Sequence, residues 1–92
     1  MNFVYVEGWS GNGFEDAGGG VSDVKIFTVK SEALAYSGKK FLEFADEYLG
    51  EDVEGMNVHE MAEQLNGSVD VDTGTWECHP ESTVYGLIKE VA

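Results

Sequence analysis

The chain contains no arginine. A guanidinium is the usual bidentate grip on carboxylate or phosphate, and lysine does not reproduce that planar fork. A charged clamp on a phosphorylated substrate is therefore not expected. Lysine is scarce as well: five stand against eighteen Asp and Glu, a net of -13 over 92 residues. Such a chain repels phosphate as a whole, which excludes non-specific attraction to DNA, RNA or an anionic bilayer and leaves basic proteins and cations as attractive partners. The single cysteine, Cys78, leaves no internal disulfide and gives no reason to read a secreted, stapled scaffold. No apolar run approaches the roughly 20 residues of a membrane span. The opening M-N-F-V-Y-V-E has no positive n-region. These absences point to a soluble, cytoplasmic protein.

What is present is enough to fold. The apolar fraction is 42%, with two Trp, four Tyr and five Phe, too rich for a disordered acidic tail. Ninety-two residues make one small domain with a modest core. Residues 3 to 7, F-V-Y-V-E, read as a strand, and being apolar on both faces it is expected to be central in a sheet or covered on both sides. Residues 8 to 20 hold six glycines in thirteen positions and read as a long loop inserted between the first two strands, carrying Trp9 and Phe14. Residues 21 to 29 alternate as a second strand, with Val24, Ile26 and Thr28 on one face and Lys25, Phe27 and Val29 on the other.

Ser31 is placed to cap a first helix, with Glu32 in the first turn where the dipole favours it. Leu34, Phe41, Ala45 and Tyr48 share one face, flanked by Leu42, Phe44 and Leu49, and Gly50 is the natural C-cap. Asn57 to Glu60, N-V-H-E, has capping-box spacing and opens a short second helix with a Val58, Met61, Ala62, Leu65 stripe. Val69 and Val71 alternate with Asp70 and Asp72, Thr73-Gly74 read as a turn, and Thr75 to Cys78 form a strand with Trp76 and Cys78 on one face. Residues 83 to 91 fit either period; the β-branched start and Gly86 favour a strand pairing back on 75 to 78. The order ββααβββ gives an α+β domain: a mostly antiparallel sheet of four or five strands with two helices on one face.

Several chemistries fail on spacing. Neither G-x-G-x-x-G nor G-x-x-x-x-G-K-[ST] occurs in the glycine-rich stretch, and Glu15 and Asp16 there repel a phosphate. Around Ser10, G-W-S-G-N lacks the second glycine of a nucleophile elbow. Cys78 and His79 are adjacent and point to opposite faces of a strand, and His59 supplies no ligand spacing with them for zinc. Asp70-x-Asp72-x-Gly74 places glycine one position too early for a calcium loop. No catalytic residue, cofactor or metal site is expected, and a small metal-dependent hydrolase ranks last among the functions considered.

The remaining signal is charge. Residues 43 to 54, E-F-A-D-E-Y-L-G-E-D-V-E, carry Glu43, Asp46, Glu47, Glu51, Asp52 and Glu54 with no base among them. They lie at the negative end of a helix dipole, where cations are the stabilising choice. A locally unfavourable pattern is a place to look for function. One reading is a solvated face that keeps the chain soluble. The other is a surface for a basic partner, with carboxylates spaced comparably to the phosphates of a nucleic acid. On that second reading the partner-binding residues are these six with Glu15, Asp16 and Trp9.

In size, charge, lack of arginine and α+β pattern, carried by this acidic stretch, the chain resembles small acidic phage-encoded inhibitors: anti-CRISPR proteins and DNA-mimic anti-restriction proteins. The resemblance implies a non-enzymatic inhibitor that binds a nucleic-acid-handling bacterial defence complex, such as a CRISPR effector, inside the host cell. It assigns no role to individual residues. The competing expectation is an adaptor or self-associating module, monomer or dimer, in which Trp9 and Tyr36 are buried between copies.

Overall fold

The structure is a computed structural model that describes residues 1–10, 19–80 and 82–91. In chain order it consists of β1 (Asn2–Ser10), β2 (Gly19–Phe27), α1 (Lys30–Leu49), a 3-10 turn (Gly50–Val53), α2 (Val58–Gln64), β3 (Ser68–Asp70), β4 (Thr75–Cys78) and β5 (Thr83–Val91). The five strands form one antiparallel sheet in the order β2-β1-β5-β4-β3, with the helices on one face. The α+β expectation holds, and residues 83 to 91 are the strand that joins the two hairpins by pairing with both β1 and β4.

The core lies between the C-terminal half of α1, α2 and the β4–β5 side of the sheet. Trp76 is its largest member, 1% exposed, with the Phe41 and Phe44 rings 5.4 and 5.3 Å away. Ala45, Met61, Ala62, Leu65 and Cys78 close the cluster. Gly86 on β5 lies beneath Trp76: a Cβ there falls on the indole Nε1 and, at 2.6 Å, on the Tyr5 hydroxyl, so only glycine admits both rings. The capping box is present in full. The Asn57 side chain accepts from Glu60 N at 2.9 Å, and the Asn57 N–H donates to the Glu60 carboxylate.

The buried face of α1 keeps Phe41 and Ala45 of the expected set but not Leu34 and Tyr48. It is Ala33, Ser37, Phe41 and Ala45, while Leu42 and Tyr48 are exposed. The small side chains of Ala33 and Ser37 let the helix approach the sheet closely, and the buried Ser37 hydroxyl donates to Gly74 O. Ser31 is not the cap. Val29 holds that position without a side-chain bond, and Ser31 lies inside the first turn. Gly50, at φ 59°, ends the helix and donates its N–H to Asp46 O.

The glycine-rich stretch is shorter as a connection than its composition suggests. Gly8, Trp9 and Ser10 continue β1 and pair with Val21, Gly20 and Gly19 of β2. Trp9 is thus a strand residue whose indole lies on Gly20, an aromatic filling the space a glycine leaves in the sheet. β1 is interior, flanked by β2 and β5, but β5 is the middle strand.

Pairing registers assign the two faces. Phe3, Tyr5 and Glu7 face the helices in rows with Phe27, Lys25 and Asp23 of β2 and with Glu90, Ile88 and Gly86 of β5. The opposite face carries the rows Ile26–Val4–Lys89, Val24–Val6–Leu87 and Val21–Gly8–Tyr85. No element of the described residues covers that second face, so β1 is covered on one side only.

Candidate partner-binding site

Glu43, Asp46 and Glu47 occupy the last two turns of α1, Glu51 and Asp52 the 3-10 turn, and Glu54 the residue after it. All six are exposed. The geometry follows from Gly50, whose left-handed backbone stops the α-helix and lets the chain turn tightly while Val53 and Met56 pack back on the core. The acidic stretch is therefore held at both ends by the fold and is not a tail. Neither the last turn of α1 nor the 3-10 turn contains a base. Among the described residues the ion pairs are Lys40 with Asp23 at 3.8 Å and His79 with Glu77 at 3.2 Å, and neither includes one of the six acids. Their charge is directed at solvent, and the nearest bases along the helix are Lys39 and Lys40, one turn before Glu43.

Trp9 is 45% exposed but sits on β1 beside Val84 and Gly20. Glu15 and Asp16 lie outside the described residues. Tyr36, expected between copies, is engaged within the chain. Its ring packs on Tyr5 and Phe27 at 5.3 Å from each, and its hydroxyl donates to Asp23 Oδ2 at 2.6 Å. That bond, with burial second, pushes the phenol up to about 12. Tyr5 donates to Glu7 at 2.9 Å and is pushed far above the ordinary tyrosine value, by burial first and by the Glu7 charge second. The indole N–H of Trp76, beside the Tyr5 hydroxyl over Gly86, has no bond of good geometry, though its proximity acts on Tyr5 in the lowering direction.

The residues weighed for catalysis or metal have structural places. Ser10 lies in β1, opposite Thr83, and not on a strand-to-helix turn. Cys78 is fully buried, and burial pushes its thiol up to about 11. The Asp70 carboxylate accepts from Asp72 N at 3.0 Å and Thr73 N at 3.3 Å, shaping the turn that Gly74 completes at φ 73°. Among the described residues no three His, Cys, Asp or Glu side chains converge as a metal site.

Sequence reasoning missed a three-residue chain on the β4–β5 hairpin. His79 Nδ1 is 3.0 Å from the Thr83 hydroxyl and Nε2 is 3.2 Å from Glu77 Oε2. The order hydroxyl, imidazole, carboxylate resembles that of a hydrolytic triad. All three side chains stand at the surface, and the contacts serve to clasp the two strands. The open face of the sheet was missed too, although the Val24/Ile26 alternation signalled it.

Among the described residues no helix is long and apolar enough to cross a membrane. Comparison with protein-family models, with curated proteins and with solved structures gives no match.

Proposed function

We propose that this chain is a non-enzymatic binding protein that presents the acidic end of α1 and the turn after it to a basic surface. The partner we favour is the nucleic-acid-binding groove of a bacterial defence complex, a CRISPR effector or restriction enzyme, and the outcome is inhibition. One observation carries the reading: six exposed carboxylates on a well-anchored helix end, without a base among them, where the helix dipole makes acids unfavourable. A fixed array of negative charge can take the place of phosphates in a Lys/Arg groove and release the same counterions. Long-range attraction between such surfaces accelerates encounter and weakens as salt rises.

The test is affinity capture from bacterial lysate followed by mass spectrometry, with wild-type chain and with the triple variant Glu43→Lys/Asp46→Lys/Glu47→Lys. The reading expects a basic, nucleic-acid-handling complex on the wild type and its loss from the variant, with the variant's circular dichroism unchanged. The same proteins on both would return the stretch to a solvated face.

A further inference from the structure

β2 turns its side chains the wrong way for a two-layer monomer. Asp23 and Lys25 point towards α1, where Asp23 meets Tyr36 and Lys40 and the Lys25 ammonium lies 5.1 Å from the Tyr36 ring centre. Val21, Val24 and Ile26 point away from the helices and are 60, 54 and 65% exposed. Because strand side chains alternate, register decides which set is buried, and it is strongly specified where one face must be covered. The rows that continue across the sheet add Val4, Val6, Leu87 and Tyr85 to the same uncovered side. The molecule is only 16 Å through its shortest dimension.

From this we propose that the open face of β2, β1 and β5 is a self-association surface, and that its occupant is the same face of a second copy. The inference does not rest on the function proposed above. Charge selects the occupant. In a chain of net -13, the carboxylates of β1, β2 and β5 (Glu7, Asp23 and Glu90) are all in rows on the helix side, and Lys89 is the one charged residue these three strands place on the open side; Glu77 of β4, paired with Tyr85, stands at its edge. A basic partner finds no carboxylate to hold on those three strands. An identical copy meets no opposing carboxylate on those strands, and pairing at this face leaves both acidic helix ends outside, in an α/β/β/α arrangement. Sheets pack in this way about 10 Å apart.

Size fits as well. Three strands of nine residues, at about 3.3 Å per residue and about 4.8 Å between strands, present roughly 400 Å² in projection. That is the size at which an exposed apolar patch marks an interaction site. Two such faces bury about 800 Å² in projection together, just under the roughly 1,000 Å² of a standing specific interface, which corresponds to a weak, reversible dimer. Because both copies are strongly negative, screening should strengthen this contact, the opposite of the salt response expected for a basic partner.

Sedimentation equilibrium from 5 to 500 µM tests it, at low and at roughly 0.5 M salt, for wild type, Val24→Glu, Ile26→Glu and the triple lysine variant of α1. The wild type should be a reversible dimer at high concentration, tighter in high salt. Each sheet variant should weaken association at least tenfold, and the α1 variant should not. A strict monomer throughout, a dimer that both sheet variants leave intact, or one that salt dissociates would overturn the proposal. If the sheet variants unfold, dilution of the wild type observed by methyl NMR decides. Shifts at Val4, Val6, Val24 and Leu87 with Leu65 unmoved support the face, and shifts confined elsewhere reject it.

Discussion

Gly38 lies in the interior of α1, and a Cβ added there meets nothing within 4 Å. Nothing local asks for a glycine, and in a helix interior it costs about 1 kcal/mol relative to alanine. Gly38→Ala should raise the melting temperature by about 4–8 °C, the shift that about 1 kcal/mol makes in a domain of this size; calorimetry checks it. Ala33 and Ser37 before it and Phe41 and Ala45 after it are all buried on one face, and that packing carries the helix through the glycine.

Tyr36 carries a prediction of the opposite kind. Its phenol, held up to about 12 by the bond to Asp23 and by burial, titrates from an ordinary value near 10 in the unfolded chain. The folded state prefers the protonated form, so the stabilisation is fully present below pH 10 and is lost as pH rises towards 12. Tyr36→Phe should make the fall of stability across that window shallower, read by urea melts at several pH values. The sequence showed Tyr36 and Asp23 only as members of separate elements. Their meeting depends on how α1 crosses β2, which no local pattern encodes.

At the scale of elements, the signals that were legible are those with a local cause. The Asn57–Glu60 capping box, the Gly50 stop, the Trp76/Cys78 alternation and the Asp70–Gly74 turn are each complete within a few residues, and each stands in the structure. Ser31 failed because the helix begins one residue before it, continuing directly from the β2 connection with Val29 as cap. The loop placement of Trp9 failed because glycine-rich composition reads as loop, while the pairing with β2 and the indole laid on Gly20 extend the strand. The C-terminal end of α1 is where local stability and proposed function conflict. Glu47→Lys replaces an acid by a base at the negative end of the dipole and should stabilise the fold by about 0.5 kcal/mol. The same substitution should weaken partner binding. A rise in melting temperature together with a loss of affinity is the signature of acids kept for function; loss of stability, or unchanged affinity, would count against it.

For the whole molecule, two surfaces of different character stand back to back. The helix layer ends in six exposed carboxylates, and β2, β1 and β5 show an aliphatic face on which Lys89 is the one charged residue. Net charge and residue counts made the first visible in the sequence. The second was half visible: the alternation of Val24 and Ile26 with Lys25 was plain, but which set faces the helix is a tertiary choice, and burial would have argued for the other one. If the sheet faces pair, each dimer displays two acidic helix ends, and simultaneous engagement of two basic sites then strengthens binding without any new contact.

The claim that the acidic end of α1 occupies a nucleic-acid groove is tested most directly by competition. Labelled DNA bound to a purified CRISPR effector or restriction complex, from a panel of bacterial systems, is titrated with the protein while fluorescence anisotropy is followed. The wild type should displace the DNA from at least one complex with near-stoichiometric dependence at low salt and less effectively as salt rises, and the Glu43→Lys/Asp46→Lys/Glu47→Lys variant should fail to do so. Displacement by both proteins alike, or by neither from any complex, would contradict it.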